Sequence, residues 1–241
     1  MLMQYLVKDI INYCIADTRT TDAIDPKLLQ LWHTNAFMGT IKIFWMSQFV
    51  RYTLRPQNWF TETLKNIVSN RLRSLRCDHE CPDANEQSCC VTDVVYKIPT
   101  PFASMHVRYG NKVIEQPSQP LTKYMKLITS KAKYSKNVFI STESAWVIRS
   151  LAEMYPSYTF YYIDYERISD LKLSQVYSTI DYVEEFFFSF ANLYVSIEAD
   201  HFVGSLTSSW CMLIHELERT RGDGGTDYWS VDIGSQYTSC F

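Results

Sequence analysis

From residue 91 onward the chain alternates short apolar runs with longer segments of helical spacing, an order that few folds accommodate. Strands are expected at 102–107, 137–141, 159–163 and 201–204. The intervening helices are expected at 121–133, 145–154, 174–196 and 209–219. Strands separated by helices require crossover connections, so the pattern implies an α/β fold with a parallel sheet covered on both faces, a Rossmann-like layout. In such sheets ligands lie beyond the carboxyl ends of the strands, and the informative residues directly follow each strand.

After the first strand the chain reads His106-Val107-Arg108-Tyr109-Gly110-Asn111-Lys112, with Glu115 three positions on. His106, Arg108 and Lys112 concentrate positive charge there, and Gly110 permits close backbone approach. The implied ligand is an anion; the competing reading is a strand end with a solvated basic turn. Thr142-Glu143-Ser144 follows the second strand, and Ser205-Leu206-Thr207-Ser208-Ser209 follows the last. Hydroxyls and unpaired N–H groups at the start of a helix suit a phosphate. Ordinary capping by Ser208 or Ser209 explains the same residues.

The first part of the chain reads as helical. Residues 2–13 have amphipathic spacing, a helix is expected from Asp25-Pro26 through Trp32, and residues 41–54 form a long apolar run ended by Arg55-Pro56. Another helix is expected at 58–73. Residues 77–90 are polar and cysteine-rich, which marks a boundary. The organisation expected is a helical segment at 1–76, a Cys-rich linker or insertion at 77–92, and a Rossmann-like domain at 93–241. Cys77, Cys81, Cys89 and Cys90, beside His79, are compatible with a zinc site, with disulfides in an oxidising compartment, or with free thiols in a reducing one.

Composition excludes several classes. With 46% hydrophobic and 20% charged residues the chain is not a disordered tail, and a net charge of −3 argues against nucleic acid as a partner. Residues 1–16 contain Lys8, Asp9 and Asn12 and do not amount to a membrane span. No targeting segment is visible, and an abrupt start and an aromatic last residue suggest a piece of a longer protein. Phe186, Phe187, Phe188 and Phe190 read as core, and His79, His201 and His215 as isolated surface, capping or core residues.

Three segments carry a family resemblance. Trp45-Met46-Ser47-Gln48-Phe49-Val50-Arg51-Tyr52-Thr53-Leu54-Arg55-Pro56-Gln57 resembles the W-x-S-Q-x-V-K-Y-x-x-R-P-Q helix of the α-1,6-fucosyltransferases of N-glycan cores, glycosyltransferase family twenty-three. His106 to Lys112 is similar to that family's H-V-R-R-T-D-K signature. Ala199-Asp200, Thr207-Ser208-Ser209 and Glu216 are similar to its A-D, S-S and Y-E segment. The resemblance implies a two-lobed fold of the GT-B type and inverting transfer of fucose from GDP-fucose to a glycan hydroxyl, with no metal. It also implies a glycan or glycoprotein acceptor and a Golgi location; a homodimer is compatible with it.

By the same resemblance Glu115 is the base, with one loop residue deleted, and Lys112 lies beside it or beside the departing phosphate. Arg108 and Ser208 hold the diphosphate, and His106, Asn111, Tyr124, Glu143 and Thr207 complete the donor site. Departures are Tyr109 for the second Arg, Asn111 for the signature Asp, Glu143-Ser144 for Asp-Asp, and Asn192 for an Asp. They leave open an inactive relative that binds a nucleotide or glycan, and a transferase with another acceptor.

Overall fold

The computed structural model describes residues 50–52, 54–77, 89–92, 94–109, 118–132, 135–167, 181–205, 207–220 and 227–232. The helices expected at 2–13 and from Asp25, and most of that at 41–54, lie outside them. The chain forms two compact units. One comprises residues 56–204 and 226–231 and contains the sheet; the other comprises 1–55, 205–225 and 232–241.

The sheet-bearing unit begins with helix α1 (Asn58–Arg71), which passes directly into β1 (Leu72–Arg76). β2 (Cys90–Thr92) and β3 (Phe102–Val107) follow, then α2 (Leu121–Lys131), β4 (Asn137–Thr142), α3 (Ala145–Met154) and β5 (Thr159–Ile163). The unit closes with α4 (Tyr182–Ser196), β6 (His201–Gly204) and, later in the chain, β7 (Asp227–Ser230). Seven strands form one sheet in the order β2-β1-β5-β4-β3-β6-β7. β5, β4, β3, β6 and β7 run parallel, while β1 is antiparallel to both β2 and β5. The sheet is Rossmann-like.

All six residues of β3 are buried, as a central parallel strand covered on both faces requires. Side chains alternate between the faces. Ala103, Met105, Val107, Val138, Ile140 and Phe160 pack with Met125 and Ile128 of α2 and Val147 and Leu151 of α3. Phe102, Phe139, Tyr161 and Ile163 pack on the other face with Phe188 and Val195 of α4. Each Val, Leu, Ile, Met or Phe among them, when fully buried, contributes about 1.5–3 kcal/mol.

Six details differ from the sequence reading. The helix expected to reach Arg73 ends at Arg71, because Leu72 is needed in the sheet opposite Ile163 and is 1% exposed there. β1 is invisible in isolation: Leu-Arg-Ser-Leu-Arg gains its stability from cross-strand neighbours rather than from its own periodicity. Since β1 and β2 pair with each other, the Cys-rich segment at 77–92 connects two adjacent strands of one sheet instead of separating two bodies. Cys77 is joined to Cys89 by a disulfide, and Cys90 is disulfide-bonded as well.

The helix expected at 174–196 begins at Tyr182. The Asp181 carboxylate accepts hydrogen bonds from the N–H groups of Val183 at 2.9 Å and Glu184 at 3.2 Å, and the Asp181 backbone is extended, so a capped start lies inside the expected run. Residues 174–180 lie outside the described set. β7 was not expected; its residues pair with β6 from His201↔Asp227 to Gly204↔Ser230. The Phe cluster is only partly core, since Phe188 is buried but Phe186 is exposed beside Phe60.

Candidate functional site

The strand order locates the site. From β3 the chain adds β4 and β5 on one side of the sheet, then returns to place β6 and β7 on the other. The order therefore reverses between β3 and β6, where open α/β sheets present a crevice outside the carboxyl ends. Met105 of β3 pairs with Val203 of β6, and Val107 of β3 with Thr142 of β4, so these strands end on a common edge.

At that reversal β3 carries His106 near its end, and Arg108 directly follows the strand. His106 is buried opposite Ser141 in the strand, and Arg108, two residues on, is half-buried. The Tyr109 ring lies 5.1 Å from that of Trp146, in the first turn of α3, at an interplanar angle of 31°. Glu143 follows β4 and is half-buried. Ser144 caps α3 without a side-chain cap bond; its N–H donates to the Thr142 hydroxyl at 3.3 Å, and its own fully buried hydroxyl has no partner among the described residues.

The exit of β5 carries a cluster that the sequence-based expectations, confined to the exits of β3, β4 and β6, do not include. The Arg167 guanidinium donates to the carbonyls of Thr142 at 3.2 Å, Tyr165 at 3.2 Å and Ile163 at 2.7 Å, and lies over the ring of Tyr165. Tyr165 stacks on Phe188 and its hydroxyl donates to the Thr142 carbonyl at 3.3 Å. Burial pushes the Tyr165 phenol up to about 12 and lowers the Arg167 guanidinium from its usual value. Tyr165 is thus a neutral donor, and the two residues tie together the ends of β4 and β5. The findable signal was Tyr165-x-Arg167 immediately beyond a predicted strand. Asn192 donates from its side-chain amide to the Phe188 carbonyl at 2.8 Å, a bond within α4.

In the second unit, residues 205–208 precede helix α5 (Ser209–Glu218). The hydroxyls of Ser205 and Thr207 both donate to the Asp232 carboxylate, and the Thr207 N–H does so at 3.2 Å. Thr207, expected to hold the donor, therefore directs its donors to a carboxylate. Ser208 is buried at the N-cap of α5; its N–H donates to the Ser205 carbonyl at 2.9 Å, and its side chain makes no cap bond. In the same unit Arg51, from the Trp45–Gln57 motif, donates to the Thr220 carbonyl.

Of the remaining expected residues, Asn111, Lys112 and Glu115 lie outside the described residues. Tyr124 is 2% exposed and packs in the core with α2. Among the described residues no cluster of three or more His, Cys, Asp or Glu side chains could hold a metal ion. None of the described helices is long and apolar enough to cross a membrane.

No family model matches the chain. Similar solved structures include POFUT1 in complex with GDP-fucose, at a TM-score of 0.45 and 13% identity, covering 73% of this chain and 47% of that one. Another is POFUT1 in complex with GDP, at 0.45 and 14%, covering 73% and 48%. The apo form of POFUT1 is similar at 0.41 and 12%, covering 72% and 46%. The chain spans about half the length of these proteins, and likeness at this level specifies no shared activity.

Proposed function

We propose that the chain belongs to an inverting fucosyltransferase that uses GDP-fucose and a glycan hydroxyl as substrates. The observation that carries this reading is the departure of the His106-Val107-Arg108 signature from the central strand at the reversal of strand order. The distant likeness to POFUT1 with GDP-fucose adds no weight.

In the proposed reaction Glu115 removes the acceptor hydroxyl proton as the oxygen bonds to the anomeric carbon of fucose. The bond between that carbon and the diphosphate breaks, and GDP leaves with the electron pair. Two requirements follow: a base for the proton, and positive donors for the charge developing on the leaving group. Arg108 and Lys112 answer the second. His106, Asn111 and Glu143 would line the donor side. The hydrogen bonds of Thr207 to Asp232 support a role for Thr207 in the shape of its loop rather than at the phosphate. The Cys77–Cys89 disulfide supports an oxidising compartment such as the Golgi lumen.

A second reading, a nucleotide-binding relative without transfer, is favoured by Tyr109, Asn111 and Ser144 at positions where the resemblance implies charge. Titration with GDP followed by a GDP-fucose turnover assay separates the two. Turnover that Glu115→Gln abolishes while GDP affinity stays within a few-fold supports the transferase. GDP binding with no turnover by the unaltered protein on any glycan acceptor supports the relative, and no affinity for GDP removes both.

A further inference from the structure

Tyr109 stands where the family resemblance implies a second arginine, and its ring is packed against Trp146 at 5.1 Å. The two residues come from neighbouring strand exits: Tyr109 lies two positions past Val107, and Trp146 four past Thr142, its register partner. Tyr109 is also anchored from below, since it packs against the core. Trp146 nonetheless remains 51% exposed. A large aromatic side chain left half open, with a second ring against it, is apolar surface that the core does not use.

We propose that Trp146, supported by Tyr109, is a shelf on which the base of the donor nucleotide stacks. The proposal rests on the preceding reading, in which Arg108, adjacent to Tyr109, grips the diphosphate. A base suits the shelf better than a sugar ring. Every sugar hydroxyl taken from water needs a hydrogen-bond partner, whereas the shelf offers ring faces, and the nearby Ser144 side chain is fully buried. Base stacking on an aromatic side chain needs no such partners. Ring stacking would also recover binding strength at a position that gives up a phosphate-directed charge.

Calorimetric titration of the full chain with GDP, GDP-fucose, guanosine and pyrophosphate tests the assignment. Trp146→Ala should weaken GDP and guanosine on the order of tenfold to a hundredfold and leave pyrophosphate unchanged, while Trp146→Phe should recover most of the loss. Unchanged GDP affinity in Trp146→Ala would overturn the shelf. So would a loss shared equally by pyrophosphate, which marks a structural role, or a loss confined to GDP-fucose, which marks a sugar contact. Arg108→Ala, titrated in parallel, keeps the two readings apart. If it leaves pyrophosphate binding intact while Trp146→Ala still weakens guanosine, the diphosphate grip falls and the shelf stands. An unaltered protein that binds guanosine no better than Trp146→Ala does removes the shelf alone.

Discussion

Asp232 and Thr207 are joined by two hydrogen bonds, one from the Thr207 hydroxyl and one from its backbone N–H at 3.2 Å. The Ser205 hydroxyl donates to the same carboxylate oxygen. Hydrogen bonds to a charged acceptor are stronger than neutral ones, about 1.5–3 kcal/mol each when sheltered, and less where, as at Thr207, the donor is exposed. Asp232→Asn should therefore lower stability by about 1–2 kcal/mol in urea denaturation. Thr207→Val should cost about 1 kcal/mol and leave GDP affinity unchanged. A large loss of GDP affinity in Thr207→Val would return that hydroxyl to the ligand.

Arg108 is half-buried at the end of a fully buried strand, so its position is determined by the sheet rather than by a loose surface loop. Losing a charge-assisted hydrogen bond of about 1.5–3 kcal/mol corresponds to roughly ten- to hundredfold in binding. Arg108→Ala should weaken GDP by that factor in titration calorimetry, with Arg108→Lys in between, since an ammonium keeps the charge but not the fork. Equal affinities in all three proteins would exclude Arg108 from the phosphate.

His215 lies on α5, 7% exposed, and burial, with Arg219 nearby as the smaller cause, lowers its pKa from 6.5 to about 4. The unfolded chain takes up a proton at this site near pH 6.5 and the folded one does so only near pH 4. Above pH 6.5 the group has no effect on stability; as pH falls through that window the unfolded state is favoured. The expected loss is roughly 2 kcal/mol between pH 7 and pH 5. Denaturation midpoints over that range check it, and His215→Leu should flatten the profile.

The disulfide between Cys77 and Cys89 spans a sequence separation of 12 and connects β1 to β2. Closing a loop of this size restricts the unfolded chain by roughly 3 kcal/mol in the chain-entropy account. Cys77→Ser with Cys89→Ser should lower the thermal midpoint, and a reductant should lower that of the unaltered protein by more than that of the double variant, which keeps the disulfide of Cys90. A midpoint unaffected by the substitutions would assign the bridge no part in holding the edge of the sheet.

The strands and helices from 102 to 163 were legible in the chain alone because apolar runs such as Phe102–Val107 are long enough to bury themselves on both sides and leave little choice of partner. Local chemistry also predicted the start of α3 at Ala145, and chain order alone identified Arg108 and residues 205–208 as strand exits. The start of α4 is local chemistry too, an Asp181 cap on the N–H groups of Val183 and Glu184, whereas β1 and β7 were decided by the tertiary structure. Arg-rich or short segments acquire strand geometry from the neighbour they hydrogen-bond, and that neighbour is far away in sequence: Leu72 meets Ile163, and Gly204 meets Ser230. The same holds at the candidate site. Residue types announced an anion, but only the folded chain could direct Thr207 toward Asp232, lay Arg167 across the ends of β4 and β5, and set Tyr109 against Trp146. Each of these depends on distances between residues that no local pattern encodes.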